Sequence, residues 1–146
     1  MKKSDGNAPV YIVIGAGGGI GTATCRKLSA RGARLVVAGR RLETLEPLAT
    51  DLGARSFVVD ASDADQVGAC FFKILDEFGD INGAVNCVGS LLLKPADRTS
   101  QTEWNDIVAT NLGSAFATVR AAAKTMTDGG SVVLLSSAAS EIGLVN

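Results

Sequence analysis

The chain has no histidine, which removes every mechanism that needs an imidazole, Ser-His-Asp hydrolysis and H-E-x-x-H zinc sites among them. Its three cysteines, Cys25, Cys70 and Cys87, are odd in number and far apart, so they suit neither a disulfide framework nor a C-x-x-C metal site. They read as reduced interior thiols of a cytoplasmic protein, and no metal ligand set is expected. An excess of charge of one sign is also lacking: 14 Lys and Arg stand against 15 Asp and Glu, a net charge of -1. Nucleic acid and anionic membrane therefore exert no general pull, and any anion site must be local. Nowhere do about 18 uncharged apolar residues run together, as a membrane helix would need. The polar segment 1–9 lacks the apolar core of a signal peptide and is expected to be a disordered tail.

Glycine, by contrast, is abundant: 17 residues, more than ordinary usage predicts, so tight turns matter. A length of 146 residues suits one domain, expected over residues 10–146, since domains commonly run to about 100–150 residues. Val10 to Ile14 is a short β-branched run ending at glycine, as in a strand buried on both faces. A helix is predicted over Ile20 to Arg31, stopped by Gly32. Leu35 to Ala38 is the next strand. After it Leu42, Leu45, Leu48 and Leu52 recur at helical spacing up to Gly53. Pro47, one of only three prolines, falls inside that pattern and predicts a kink or a late start.

Ser56 to Val59 repeats the strand signal. Ser62-x-x-Asp65 then resembles a capping box, opening a helix with Val67, Cys70, Phe71, Ile74 and Phe78 inward and Gly79 at its end. Ala84 to Val88 is a fourth strand. Ser100-x-x-Glu103 caps a long helix whose apolar stripe is Trp104, Ile107, Val108, Leu112, Ala115, Val119, Ala122 and Met126. Val132 to Leu135 is a fifth strand. Five strands alternating with four helices predict an α/β fold, a doubly wound parallel sheet with helices on both faces. In such sheets ligands bind outside the carboxyl ends of the strands.

Between the first strand and the first helix runs Gly15-Ala16-Gly17-Gly18-Gly19-Ile20-Gly21. Backbone N–H groups and the helix dipole can hold a phosphate there, and only glycine lets the chain come that close. G-x-G-x-x-G fails at Ile20, whereas G-x-x-x-G-x-G fits through Gly15, Gly19 and Gly21. This spacing resembles the T-G-x-x-x-G-I-G fingerprint of the short-chain dehydrogenase/reductase family, with Ile14 in place of the threonine. The resemblance implies a Rossmann-like sheet in the order 3-2-1-4-5 and a bound nicotinamide dinucleotide. Gly15, Gly17, Gly18, Gly19, Ile20 and Gly21 would contact the cofactor.

The other motifs can be taken along the chain. Gly39-Arg40-Arg41 follows the second strand, where a carboxylate would accept from the ribose of NAD. No acid is present, and a guanidinium there can pair with a 2'-phosphate instead. In the family an Arg at this place goes with NADP, so NADP is expected over NAD, with Arg40 as the contact and Arg41 its partner. Asp60 and Ala61, by resemblance, contact the adenine; taken alone, Asp60 is a turn or cap residue. Asn86-Cys87-Val88-Gly89 looks like the family's N-N-A-G, which places Asn86, Val88 and Gly89 beside the cofactor, although Cys87 and Val88 depart from the pattern. Asn111 stands on the long helix, where a buried amide needs partners. Thr110-Asn111-Leu112-Gly113 resembles the family segment whose Asn bends the helix and serves a proton relay. Ser136-Ser137-Ala138-Ala139 looks like the active-site S-S-x-x, in which Ser137 would polarise the reacting C–O bond.

Proton delivery in the family falls to a tyrosine with a lysine four residues on. The single tyrosine here, Tyr11, belongs to the first strand, so the chain is expected to be a truncated part of a longer enzyme, inactive alone. The resemblance implies hydride transfer between NADP(H) and a small-molecule carbonyl or alcohol, and a homo-oligomer in the full-length form. Two other readings remain at this point: a dinucleotide-binding module without catalysis, and a structural or interaction sheet.

Overall fold

The computed structural model describes residues 8–138. Most of the expected tail over 1–9, and Ala139 of the serine motif, lie outside the described residues. The strands are β1 (Val10–Ile14), β2 (Arg34–Gly39), β3 (Arg55–Val58), β4 (Gly83–Asn86) and β5 (Ser131–Leu134), and all pair in parallel in the order β3-β2-β1-β4-β5. That is the predicted doubly wound sheet, with the reversal of strand order on either side of β1. The helices are α1 (Gly19–Ala30), α2 (Leu42–Leu52), α3 (Ala64–Phe78), α4 (Gln101–Val108) and α5 (Ser114–Thr125).

Alternation along the central strands divides the core in two. Val10, Ile12 and Ile14 of β1, with Val36 and Ala38 of β2, face Val67, Phe71 and Ile74 of α3 and Ala117 and Ala121 of α5. Val13, Leu35 and Val37 face the other way, against Cys25 of α1 and Leu45, Leu48 and Ala49 of α2. Both faces of β1 and β2 are thus covered, which is why these strands read as unbroken apolar runs.

The helix boundaries contain three departures from expectation. Pro47 neither delays nor interrupts α2, which begins at Leu42 and runs on to Gly53 in the left-handed conformation at φ 61°. The cap of α3 is Asp63 rather than Ser62: its carboxylate accepts from the N–H groups of Asp65 and Gln66 at 3.0 and 3.1 Å. Ser62 is engaged elsewhere, its N–H and hydroxyl both donating to Asp60 Oδ1. The third departure is in the long helix, which is split by a π-helical turn over Ala109–Gly113.

An extra residue in a helical turn rotates everything after it around the axis. The buried face of α5 is accordingly Ser114, Ala117, Thr118, Ala121, Ala122 and Thr125. Of the expected stripe only Ala122 is fully buried; Trp104, Leu112 and Val119 are exposed, and Ile107, Val108, Ala115 and Met126 are half-buried. The Ser100 cap stands as predicted, a reciprocal box in which Glu103 N–H donates to the Ser100 hydroxyl and Ser100 N–H donates to Glu103.

Candidate functional site

The carboxyl ends of β1, β2, β3 and β4 converge on a cavity of about 350 Å³. Its first wall is the glycine turn. Gly15 leaves β1 at φ +77°, a left-handed conformation that side chains disfavour, and its N–H and that of Ala16 both donate to the Ala38 carbonyl of β2. The turn closes with Gly18 N–H on the Gly15 carbonyl at 3.1 Å. α1 then begins with no side-chain cap at Gly18 and no acid in its first turn. Its first N–H groups are left for an incoming acceptor, and nothing there repels an anion. A Cβ on Gly21 would collide with the Gly15 carbonyl, so the helix reaches this close to the turn only with glycine at 21. A dinucleotide pyrophosphate fits such a cradle: close backbone approach, uncapped amides and a favourable dipole.

The second wall is the corner after β2. Arg40 and Arg41 are exposed and line the cavity, and neither guanidinium joins an ion pair among the described residues. Asp60 and Ala61 face them from the end of β3. The N–H of Ser62 donates to Asp60 Oδ1 at 3.0 Å and its hydroxyl at 2.8 Å. These bonds first, with the Arg40 charge behind them, hold the Asp60 carboxyl below the usual carboxylate range. Asp60 therefore stays ionised beside Arg40.

The third wall is the loop after β4. Asn86, only 3% exposed, donates through Nδ2 to the hydroxyls of Ser114 and Thr118 on α5 and accepts the N–H of Val88 on Oδ1 at 2.8 Å. It fixes the direction in which Val88 and Gly89 leave the sheet into the cavity lining. Asn111 holds the same loop further along. Its Oδ1 accepts the Ser90 N–H at 3.0 Å, while its Nδ2 donates to the carbonyls of Ser90 and Ile107 at 3.1 and 3.0 Å. The residue is exposed, not buried as its place on the apolar stripe implied, because the π turn carries it out of that stripe. A Cβ on Gly89 would stand 3.2 Å from Asn111 Oδ1, so the loop and the π turn are closely fitted.

Among the predicted residues, Gly15, Gly17, Gly18, Arg40, Arg41, Asp60, Ala61, Val88 and Gly89 line the cavity, and Gly19, Ile20, Gly21 and Asn86 do not. Ser137 lies beyond the end of β5, at the same carboxyl edge of the sheet but outside the cavity lining. Thr110 and Thr44 line the cavity without having been expected to. Thr110 could have been found from its place beside Asn111; Thr44 carries no motif, and only the folded chain brings it to the loop. Burial pushes the Cys25 thiol up to about 12 and the Cys70 thiol up to about 11, and all three cysteines are free; Cys25 and Cys70 are interior as expected, whereas Cys87 is half-buried and lines the cavity.

A glycine turn opening onto an uncapped helix at the reversal point of a parallel sheet defines a nucleotide-binding α/β domain. Comparison with known proteins makes the class narrower. The family model described as enoyl-(acyl carrier protein) reductase matches residues 15–146. D-threitol dehydrogenase of Mycolicibacterium smegmatis is 34% identical over 142 residues, which are 92% of this chain and 55% of that protein. The 3-oxoacyl-(acyl-carrier-protein) reductase FabG of Escherichia coli is 31% identical over 119 residues, 80% of this chain and 49% of its own. A short-chain type dehydrogenase/reductase from Mycobacterium ulcerans superposes with a TM-score of 0.88 at 25% identity, over 93% of this chain and 54% of that one. The chain belongs to the short-chain dehydrogenase/reductase family of NAD(P)-dependent oxidoreductases. It spans about half the length of the curated relatives it matches.

Proposed function

We propose that this chain is the NADP(H)-binding part of a reductase or dehydrogenase that moves hydride between the cofactor and a small carbonyl or alcohol. The observation that carries the choice of NADP is the corner after β2, where two guanidiniums that join no ion pair among the described residues line the cavity and Gly39-Arg40-Arg41 itself carries no carboxylate. Gly15 to Gly21 hold the pyrophosphate on backbone amides, Arg40 and Arg41 take the 2'-phosphate, and Asp60 with Ala61 borders the adenine. Asn86, Val88 and Gly89 shape the nicotinamide end. The bound nicotinamide supplies or accepts the hydride.

On the substrate side Ser137 hydrogen-bonds the reacting oxygen, and Asn111 serves the proton relay from a side chain held by Ser90 and Ile107. Tyr11 is paired in register with Leu35 and Gly83 inside the sheet, so the family's proton-donating tyrosine is a different residue. The domain is proposed to cover residues 10–146, with the Tyr-x-x-x-Lys pair beyond it. Free thiols and a near-neutral net charge of -1 support a cytoplasmic setting. An apolar face on α4 and α5 supports a homo-oligomer.

The test is Arg40→Asp in the full-length protein, with NADPH and NADH titrated by fluorescence. Loss of a charge-assisted bond weakens NADPH at least about tenfold and leaves NADH little changed. An unchanged affinity ratio between the two refutes the assignment.

A further inference from the structure

Thr44 belongs to no motif, yet it stands where two walls of the cavity meet. It is half-buried in the first turn of α2 and lines the cavity. A Cβ on Gly17 would lie 2.5 Å from Thr44 Oγ1 and 3.0 Å from Thr44 Cβ. The Thr44 side chain therefore fills the space that any side chain at position 17 would need, and the glycine turn rests against it. Its hydroxyl also donates to the Arg41 carbonyl at 2.8 Å, and its N–H donates to the same oxygen at 3.2 Å. Arg41 is the residue before α2 and has no side-chain cap bond of its own. One threonine thus touches the phosphate-binding turn with its bulk and ties down the guanidinium corner with its hydroxyl.

We propose that Thr44 is a positioning residue for cofactor choice: it sets the spacing between the glycine turn and the Arg40–Arg41 corner, and so favours a dinucleotide with a phosphate on its adenosine ribose. The inference rests on the NADP reading above and adds a residue to it. A 2'-phosphate demands its donors at fixed positions, whereas an unphosphorylated ribose makes no ionic demand on that corner. Loosening Arg41 therefore costs NADPH more than NADH. The pyrophosphate, held by the turn, depends on the bulk of Thr44 rather than on its hydroxyl.

Three substitutions in the full-length protein separate these parts, read by dinucleotide titration and by thermal unfolding without ligand. Thr44→Val keeps the bulk and removes the hydroxyl; with Arg41 no longer held in place before binding, NADPH affinity falls about fivefold, and NADH by less than about twofold. Thr44→Ser, which keeps the hydroxyl, retains the parental ratio. Gly17→Ala lowers the melting temperature and weakens both dinucleotides, and adding Thr44→Gly recovers part of that melting temperature because the clash is gone. A Thr44→Val protein with the parental NADPH to NADH ratio overturns the inference alone, as does a Gly17→Ala defect that Thr44→Gly does not relieve. A parent protein that binds neither dinucleotide overturns the NADP reading and this inference with it.

Discussion

At the scale of single residues, the glycines of the turn separate into those the fold requires and those only a ligand requires. Gly21 is buried, and a Cβ on it would lie 2.8 Å from Ala16 Cα and closer still to the Gly15 carbonyl. Both neighbours are backbone and cannot rotate away. Gly19 is exposed, and a Cβ there would have nothing within 4 Å. Gly21→Ala is therefore expected to destabilise the protein by about 1–3 kcal/mol through overpacking and to abolish dinucleotide binding by displacing the start of α1. Gly19→Ala should leave the melting temperature unchanged while weakening NADPH, because its methyl intrudes only where the pyrophosphate would approach. Thermal unfolding and titration of the two variants check this; equal stability losses would show that both glycines serve packing. The motif is visible in the sequence, but this division is not, since G-x-x-x-G-x-G says nothing about which glycine touches backbone.

At the scale of elements, the start of α4 carries its own electrostatics. Lys94, in the loop after β4, is 2.8 Å from both carboxylate oxygens of Glu103 in the first turn of α4. The Lys94 bond first, then the Ser100 N–H and hydroxyl, hold the Glu103 carboxyl down to about 2. A carboxyl whose pKa is depressed by folding contributes stability above its unfolded value, and that contribution disappears as pH falls through the folded one. Glu103→Gln should therefore melt below the parent protein at neutral pH. The gap should narrow as pH drops from the ordinary value of 4.5 toward about 2, as circular dichroism melts across that range would show. A gap independent of pH would mean the carboxylate charge is irrelevant to the cap. This cap was legible because S-x-x-E is a local signal. The cap of α3 was not, because Ser62 and Asp63 compete and the outcome depends on Asp60 engaging the serine first. The π turn was equally hidden: helical periodicity assumes an unbroken phase, so Leu112 and Val119 were placed inward and emerged outside. The parallel sheet was legible because its strands show as short apolar runs alternating with helices, which no single turn disturbs, and its order followed from the family resemblance. Thr44 lay beyond reach because its contact with Gly17 exists only across the fold.

For the molecule as a whole, α4, the π turn and α5 leave several large apolar side chains exposed. Trp104 is 58% exposed, Leu112 68% and Phe116 62%, with Val119 beside them at 45%. On α5, Phe116 and Val119 lie three residues apart and share a face, and Leu112 is exposed in the π turn just before it. Contiguous large apolar groups on a surface mark a contact site, and a face that repeats on every copy can pair with itself about a two-fold axis. The opposite face of α5 holds Ser114 and Thr118, whose hydroxyls accept from Asn86. Pairing through the apolar face would press α5 onto the residues that orient Val88 and Gly89, so assembly and cofactor site would share one helix. Phe116→Asp should therefore shift the full-length protein toward the monomer in sedimentation equilibrium, since a carboxylate cannot be buried at an apolar contact without a partner. Because Phe116 is exposed in the single chain, the variant should fold, and its monomer should bind NADPH less tightly than the parent assembly. A variant that assembles as the parent does would place the contact elsewhere; a monomer with parental NADPH affinity would show that α5 transmits nothing from the interface to the β4 loop.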